Sequence, residues 1–339
     1  MAGSATGERL PAASAASDSK MNVVLGNADY ARHMTDEGDQ FQRGLEHAGW
    51  AVAGFGFQKS GQFNSTSIPQ ILEKYAPSIV VVSDPRDWDK TSSGCFDPRC
   101  SFDMIEALAD YPCFKAVVYK DAATAVGFQR DFARKIKADA LVTYYHEKSV
   151  HNAASWTKEL ELIRTYHSVE PRHVKGFQLA RRRGLISGAL GPCYPLRERI
   201  AAAHELLRII YLPHPGYHNA GSCTEDYLSY LQSFKINIAT CSTHEFALRK
   251  IFESVCCGCI CLTDLPDYDQ LPVIDNWIIR VPNHTSIALL NNILSLAEQQ
   301  WDPSVSKDRA EKAKAFYDWR ALGERLSGLL VAASTKKAP

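Results

Sequence analysis

The chain lacks net charge and lacks any long apolar segment. Its 339 residues carry 38 Lys and Arg against 38 Asp and Glu. Nucleic acids and anionic membranes favour an excess of positive charge, so this balance argues against a generic affinity for either. No apolar run approaches the roughly 18 residues that a membrane span needs. We therefore expect no transmembrane segment and no strong nucleic-acid signature.

The chain also lacks a regular cysteine pattern. Its ten cysteines are irregularly spaced, and four of them crowd between Cys256 and Cys261. This usage indicates reduced thiols in a cytoplasmic protein. A zinc site is the alternative, but Cys259 and Cys261 fall in a predicted buried strand, where free cysteine behaves as a small apolar residue. Cys95 and Cys100 have no recognisable second ligand pair, so we expect no metal.

Short apolar runs alternate with helical patterns along the whole chain. This alternation indicates parallel sheets covered by helices on both faces, and the length fits two domains. The predicted strands are NVVLGN, AVAGFGF, IVVVS, AVVY and LVTYY in the first half, and GLISGAL, RIIYLPH, INIAT, CICLT and WIIRV in the second. The expected fold class is α/β with two doubly wound, Rossmann-like domains.

The expected domain limits follow from breaks in these patterns. Residues 1–20 are rich in Ala, Ser and Gly without a signal-peptide core, which predicts a disordered tail. The first domain is expected over 21–170 and the second over 171–305, followed by a long helix over 306–330. The linker is placed within residues 165–180, after a helix predicted from TKELELIRTYH, because proline and glycine interrupt the periodicity there.

Residues 236–275 carry the most functional information. An alternating β-branched run leads through a polar turn at Ser242 to His244 and into a helical pattern, which stops at Gly258 before the apolar run CICLT. The predicted helix carries Glu245 and Glu253. With about 3.6 residues per turn, eight positions place both carboxylates on roughly the same face. The sequence predicts a strand-turn-helix-strand unit with two acids facing one ligand.

Glu-x7-Glu in this setting resembles the nucleotide-sugar motif of retaining GT-B glycosyltransferases of family 4. The continuation ESVCCGCICLTD looks closer to the CgeB-like branch, and SGALGPCYPLRER (187–199) is similar to the start of its C-terminal domain. The resemblance covers about residues 180–280. It implies a GT-B fold, two Rossmann-like domains around a central cleft with the last helix crossing back to the first domain. It also implies transfer of a hexose or related sugar from a UDP- or GDP-linked donor to a hydroxyl, with retention.

The resemblance assigns Glu253 to the ribose and Glu245 to the sugar near the reacting carbon. One carboxylate can accept a hydrogen bond from each of two vicinal hydroxyls. A helix N-terminus offers unpaired N–H groups and a dipole to a diphosphate. The other donor-binding candidates at this turn are Ser242, Thr243, Phe246, Ala247 and Lys250. A solvated helix face with a Glu245–Arg249 pair remains the alternative.

Ligands in open α/β sheets lie beyond the carboxyl ends of the strands, which adds candidates in two further loops of the second half. Gly188 allows close backbone approach, and Arg197 begins a helix from which it can reach a pyrophosphate. A surface arginine paired with Glu198 or a neighbouring acid is the alternative. His214 or Tyr217 is expected to contact the nucleobase, unless the Pro-Gly pair between them forms a plain turn.

The first half offers fewer candidates. Gly38 is expected to let the first loop approach the donor, although the Gly-Gly pair typical of the family is absent. Lys120 and Asp121 stand at a strand end where family 4 enzymes often have a histidine. Asp121 is a candidate catalytic residue that can equally cap the next helix.

The expected function is glycosyl transfer from a nucleotide-diphosphate sugar without cofactor or metal. Helix dipoles and cationic side chains would carry the charge of the leaving group. The acceptor stays open among a glycan, a small molecule, a protein and a modified base. A nucleotide-sugar epimerase on the same fold and a non-catalytic nucleotide-sugar or glycan-binding protein are the alternatives.

Overall fold

A computed structural model describes residues 21–26, 37–54, 56–57, 63–64, 67–84, 106–214 and 223–337. These residues form two α/β halves, each built on one parallel sheet. The predicted tail at 1–20 lies outside the described residues, as do Tyr217, Cys95 and Cys100. The prediction of two doubly wound α/β halves is confirmed.

The first sheet has six parallel strands. In chain order the strands of this half are β1 (Val23–Gly26), β2 (Ala51–Gly54), β3 (Gly56–Phe57), β4 (Phe63–Asn64), β5 (Ile79–Val82), β6 (Phe114–Tyr119), β7 (Ala140–Thr143) and β8 (Glu161–Arg164). The sheet order is β2-β1-β5-β6-β7-β8, and β3 and β4 form a separate antiparallel pair. β1, β5, β6 and β7 are buried along their whole length, as expected for strands covered on both faces.

Helices flank this sheet, and their ends follow local sequence signals. They are α1 (Glu37–His47), α2 (Ile68–Tyr75), α3 (Ala107–Asp110), α4 (Val126–Lys135) and α5 (Glu147–Ala153). Ser67 and Gln70 form a capping box at the start of α2, in which the side chain of each accepts a hydrogen bond from the backbone N–H of the other.

The prediction of a helix over TKELELIRTYH is wrong. The segment is a 3-10 turn over Ser155–Glu159 followed by the edge strand β8. Within β8, Glu161 is exposed, Ile163 is buried and the other two residues are half-buried, so the strand is only partly covered, as expected at the edge of a sheet. Pairing with β7 supplies the backbone hydrogen bonds that a helix would otherwise supply.

The second sheet has five parallel strands in the order β10-β9-β11-β12-β13, which confirms all five strands predicted for this half. They are β9 (Arg182–Gly188), β10 (Ile210–Pro213), β11 (Phe234–Ile238), β12 (Ile260–Thr263) and β13 (Ile278–Arg280). The helices around them are α6 (Pro195–Ala202), α7 (Cys223–Leu231), α8 (Arg249–Cys256) and α9 (Ile287–Gln300).

The predicted single C-terminal helix is two helices, α10 (Pro303–Tyr317) and α11 (Trp319–Lys337). Asp318 between them is extended, and its carboxylate accepts a hydrogen bond from the Arg320 amide at 2.8 Å, which caps the start of α11. α10 packs against α8 in the second half, whereas α11 packs against α1 in the first. The predicted return of the C-terminal helix to the first domain is confirmed, and the boundary near residue 170 stays a prediction.

Two glycines allow α1 and α11 to approach closely. A Cβ on Gly44 would lie 2.5 Å from the Trp319 carbonyl oxygen, and one on Gly323 would overlap the backbone of Gly44. Beside this crossing, the Trp50 indole donates to Ser327 Oγ at 2.8 Å. Neither α11 nor any other helix in the described residues is long and apolar enough to cross a membrane.

Candidate functional site

A cavity of about 570 Å³ opens at the carboxyl ends of β9 and β10. Gly188 ends β9 and pairs in register with Pro213, which ends β10. The cavity is lined by His167, Ser187, Gly188, Ala189, Tyr194, Arg197, Leu212, Pro213, His214, Thr224, Asp226, Tyr227, Tyr230, Leu248, Arg249, Lys250 and Glu253. Its volume lies within the range of about 300–1,000 Å³ typical of small-molecule sites.

Five predicted donor-binding residues meet in this cavity, namely Gly188, Arg197, His214, Lys250 and Glu253. They come from four separate stretches of sequence. Parallel strands point their carboxyl ends to one edge of a sheet, and the helix after β11 begins at the same edge. The described candidates that do not line the cavity are Glu245, Asp121, Ser242, Thr243, Phe246, Ala247 and Gly38.

The helix expected from residue 245 begins only at Arg249. Glu245 instead lies in a turn with a φ of 59°, and its N–H donates to the Ser242 carbonyl at 2.8 Å. The cause is tertiary packing, because Phe246 stacks on Tyr145 of the first half with ring centroids 4.1 Å apart. The expectation that both acids of the motif share one helix face is therefore wrong.

Glu245 joins the two halves of the molecule. Its Oε2 accepts a hydrogen bond from the Tyr268 hydroxyl at 2.5 Å, and its carbonyl accepts one from Ser149 Oγ at 3.1 Å. Ser149 belongs to α5 of the first half. Burial and the bond to Glu245 raise the pKa of Tyr268 to about 12. The expected contact of Glu245 with the donor sugar stays a prediction.

Polar groups of the turn before α8 form hydrogen bonds within the protein. The Thr243 N–H donates to the Cys193 carbonyl at 2.8 Å, and Ser242 Oγ accepts from the His244 N–H at 3.2 Å. Ala247 is fully buried in the core of the second half. The amides at the start of α8, to which the donor phosphates were assigned, are those from Arg249 onward.

Arg249 and Glu253 form a buried ion pair on α8. Arg249 Nε lies 3.0 Å from Glu253 Oε1, and the two side chains are 9% and 6% exposed. Phe252 and Val255 on the same helix are buried in the core. The alternative of a solvated face with a Glu245–Arg249 pair is wrong, because Arg249 pairs one turn later along the chain and is buried.

Lys250 lies beside the same carboxylate. Its Nζ is 4.5 Å from the centroid of the Tyr227 ring, a cation–π contact. Burial lowers the pKa of Lys250; Glu253 acts in the opposite direction, and the charges of Arg197 and Arg249 lower it further. An anion bound here would stabilise the ammonium form and raise the pKa of Lys250 again, so the site is electrostatically suited to an anion.

Arg197 is 3% exposed and fixed by the loops around it. Its Nε and Nη2 donate to the hydroxyl and carbonyl oxygens of Thr240 at 3.0 and 3.2 Å, and its Nη1 donates to the Ala189 carbonyl at 2.9 Å. The guanidinium carbon lies 3.9 Å from the centroid of the Tyr194 ring. The alternative that Arg197 forms a surface ion pair is therefore wrong. The expected contact of Arg197 with the pyrophosphate stays a prediction.

Gly188 makes room for Arg197. Its φ is 124°, which residues with side chains rarely adopt, and a Cβ there would lie 2.8 Å from Arg197 Nη1. The glycine was predicted to permit close approach of a ligand, and in the structure the group that approaches it is this guanidinium.

One wall of the cavity is aliphatic and aromatic. Leu212, Pro213, Tyr227 and Tyr230 contribute to it, and the Tyr227 hydroxyl lies 3.0 Å from Ser187 Oγ. Burial lowers the pKa of His214 at the edge of this wall, and the charges of Lys250 and Arg197 lower it further. Sequence analysis missed both tyrosines, although their spacing of three in CTEDYLSYL places them on one helix face.

The candidates of the first half lie elsewhere. Asp121 Oδ2 accepts from Thr124 Oγ1 at 2.6 Å and Oδ1 from the Ala123 N–H at 3.4 Å, so the carboxylate closes the turn before α4. The capping alternative is wrong, because the N-cap residue of α4 is Ala125, four residues later. Gly38 is buried in the first turn of α1. Instead, the first half reaches the cavity through His167, which sequence analysis had placed in the linker.

No group of three or more His, Cys, Asp or Glu that could hold a metal occurs among the described residues. Asp267 and Asp269 have the Asp-x-Asp spacing, but their carboxylates diverge. Asp269 is fully buried and accepts from Arg164 Nη2 at 2.6 Å, whereas the Asp267 side chain is 94% exposed.

The crowded cysteines are buried thiols. Cys257 and Cys259 donate to the carbonyls of Leu228 and Leu231 at 3.6 and 3.5 Å. Burial raises the pKa of Cys259 to about 12, so its thiolate, which is the form that binds metals, is disfavoured near neutral pH. These side chains pack as small apolar groups of the second core.

Comparison with solved structures shows the GT-B fold. A sucrose-phosphate synthase from Thermosynechococcus elongatus matches with a TM-score of 0.58 and 11% identity over 94% of this chain and 100% of its own. An alpha-glucosyltransferase in complex with UDP and a 13-mer DNA containing an HMU base gives 0.55 and 10% over 93% and 99%. A glycosyltransferase from Rickettsia africae gives 0.53 and 9% over 94% and 100%.

No family model and no curated protein sequence matches the chain. At identities of 9–11%, the structural likeness establishes the fold alone.

Proposed function

We propose that this protein is a glycosyltransferase that moves a hexose or related sugar from a UDP- or GDP-linked donor to an acceptor hydroxyl. The observation that carries the proposal is the convergence of Glu253, Lys250 and Arg197 in one cavity at the carboxyl ends of β9 and β10. The structural neighbours add support, since all three are named as synthases or glycosyltransferases and one of them was solved with UDP.

Each part of a nucleoside diphosphate finds matching chemistry in the cavity. The wall formed by Leu212, Tyr227 and Tyr230 suits a flat nucleobase. The Glu253 carboxylate suits the two ribose hydroxyls, because it can accept a hydrogen bond from each. Lys250 and the N-terminus of α8 suit the diphosphate.

We propose that departure of the nucleoside diphosphate needs no divalent metal. The cavity already gathers Arg197, Arg249 and Lys250, whose charges would stabilise the negative charge that develops on the leaving phosphate. Addition of EDTA should therefore leave transfer intact. Loss of activity on chelation, with recovery on adding manganese or magnesium, would contradict this part of the proposal.

We propose retention of the anomeric configuration on the strength of the resemblance around Glu253. NMR of the first-formed product settles the stereochemistry. The acceptor belongs to one of four classes, a glycan, a small molecule, a protein or a modified base, and the neighbour solved with modified DNA makes the last worth including in a screen.

A thermal-shift screen of nucleotides and nucleotide sugars, followed by an assay for released nucleoside diphosphate, tests the proposal. A ligand at 100 times its dissociation constant adds about 2.7 kcal/mol to the stability of the folded state. We expect one nucleoside diphosphate to stabilise the protein and its sugar conjugate to be consumed when the acceptor is present. An altered sugar without transfer would identify an epimerase, and binding without turnover a binding protein.

A further inference from the structure

His167 lines the cavity from the side of the first half, and its two ring nitrogens differ in their hydrogen bonding. Nδ1 is hydrogen-bonded to Glu37 at the start of α1. Nε2 is buried and has no hydrogen-bond partner among the residues that the structure describes, and only 5% of the residue is exposed. A buried polar atom without a partner costs on the order of 1–3 kcal/mol, so its retention beside a cavity indicates a role toward a ligand.

The imidazole ring is held in one orientation. It stacks on Tyr144 with centroids 4.6 Å apart and an angle of 12° between the planes, and the Phe252 ring lies 5.5 Å away. Rotation about the side chain would break both this stack and the bond to Glu37. The ring is therefore preorganised, and a ligand in the cavity meets Nε2 without reorganisation.

Glu37 fixes the protonation of Nδ1. Burial alone would raise the pKa of Glu37, but the charge and hydrogen bond of His167, followed by the charges of Arg249 and Lys120, lower it overall. The carboxylate is thus ionised near neutral pH and only accepts hydrogen bonds. Nδ1 must carry the proton, and Nε2 carries a second proton when the ring is charged.

We propose that His167 binds the donor substrate, with Nε2–H donating a hydrogen bond to the diphosphate of the nucleotide sugar and Glu37 holding the ring. Phosphate oxygens only accept hydrogen bonds, so this contact requires the charged ring. Glu37, which holds the ring, belongs to the first half, whereas Glu253 and Lys250 belong to the second. The contact of His167 with the diphosphate would therefore tie the donor to both halves. This inference rests on the proposed function and adds a residue from outside the second half to the donor site.

The charged and titratable groups around His167 come from several elements. Glu37 faces it from α1, Arg249 and Glu253 line the same cavity from α8, and Lys120 acts on Glu37 from the loop after β6. Tyr144 and Tyr145 pack on the ring from the loop after β7. Lys250, His214 and Arg197 line the same cavity, and a bound anion also favours the protonated forms of Lys250 and His214. The part of the proton uptake that is lost in the His167 variants is therefore the part that reports on His167.

Calorimetry of UDP and uridine binding tests the inference, with GDP and guanosine used in parallel in case the base is guanine. His167→Phe keeps the ring and its stacking but removes both nitrogens. His167→Gln keeps one N–H donor without the charge. The double variant Glu37→Gln/His167→Phe avoids a buried carboxylate without a partner, and His204→Phe, outside the cavity, is the matched control.

We expect the phenylalanine variants to lose at least about tenfold in affinity for the nucleoside diphosphate, with the glutamine variant in between. Affinity for the nucleoside, which has no phosphate, should stay unchanged. In buffers of different ionisation enthalpy at pH 7.5, the wild type should take up more protons on binding than any of the three variants that change His167.

Equal losses for diphosphate and nucleoside, or no loss in a variant whose melting temperature shows that it is folded, would overturn the assignment of His167. If the wild-type protein binds neither UDP nor GDP, the proposed function itself fails. The two failures are thereby distinguished.

Discussion

Arg249 and Glu253 lie one helical turn apart on α8 and form an ion pair that is almost fully removed from solvent, with 3.0 Å between Nε and Oε1. Both residues also line the cavity. A buried ion pair contributes little net stability by itself, because the loss of hydration offsets the attraction. Its position beside the cavity indicates that the pair holds the Glu253 carboxylate in place for a ligand.

Glu253→Ala should weaken binding of the nucleoside diphosphate by at least about tenfold. Two charge-assisted hydrogen bonds to the ribose would be lost, each worth about 1.5–3 kcal/mol. Glu253→Gln keeps the shape without the charge and should fall in between. Calorimetry with UDP and GDP measures the effect, and Glu311→Ala on the exposed side of α10 is the control. Unchanged affinity in a folded Glu253→Ala protein would refute the role in ribose binding.

Binding of the nucleoside diphosphate should weaken at alkaline pH as Lys250 loses its proton. The pKa of Lys250 is lowered, mainly by burial, and a bound diphosphate stabilises the ammonium form. The contribution of Lys250 is thus complete below its pKa in the free protein and is lost as pH rises above its pKa in the complex.

Titration of UDP affinity between pH 7 and pH 10.5 measures this loss. Lys250→Arg should make the profile less steep, because arginine stays charged throughout. Lys250→Met should bind weakly at every pH. A wild-type profile no steeper than that of Lys250→Arg would show that the lysine does not contact the phosphates.

Gly188→Ala should destabilise the protein and displace Arg197. The alanine must adopt a φ of 124°, and its Cβ would come within 2.8 Å of the guanidinium. Backbone strain of this kind costs on the order of 1–3 kcal/mol. Gly127→Ala on α4 is the control, because a Cβ there meets nothing within 4 Å. Chemical denaturation measures both, and equal stabilities for the two variants would contradict the close approach of Arg197 to Gly188.

Gly323→Ala should force α1 and α11 apart, because the new Cβ would overlap the backbone of Gly44. We expect a loss of at least about 1–3 kcal/mol in the free energy of unfolding. Gly328→Ala on the same helix has open space around it and should be neutral or stabilising by up to about 1 kcal/mol. A Gly323→Ala protein as stable as Gly328→Ala would show that the two helices do not cross at these glycines.

The strands of the second half were predictable because each is a short apolar run between polar loops. CICLT and GLISGAL are continuous in this way, and parallel strands buried on both faces require that pattern. The cavity residues Gly188, Arg197 and Lys250 were predictable for a related reason. Gly188 ends β9, and Arg197 and Lys250 lie near the starts of the helices that follow β9 and β11. Strand ends and the starts of the following helices meet at one edge of the sheet.

The start of α8 was not predictable from local sequence. Glu245 to Lys250 are compatible with a helix, but Phe246 packs on Tyr145 of the other half and holds this stretch out of the helix. The position of His167 at the cavity was hidden in the same way, since its partner Glu37 is remote in sequence. The break at Asp318 carried a local signal, an N-cap residue inside a helical pattern.

A crystal structure of the protein with UDP or GDP tests the central claim most directly. We predict that the nucleotide occupies the cavity at the carboxyl ends of β9 and β10, with its ribose hydroxyls on Glu253 and its diphosphate between Lys250 and the start of α8. A nucleotide bound elsewhere, or in this cavity with its ribose away from Glu253, would contradict the account.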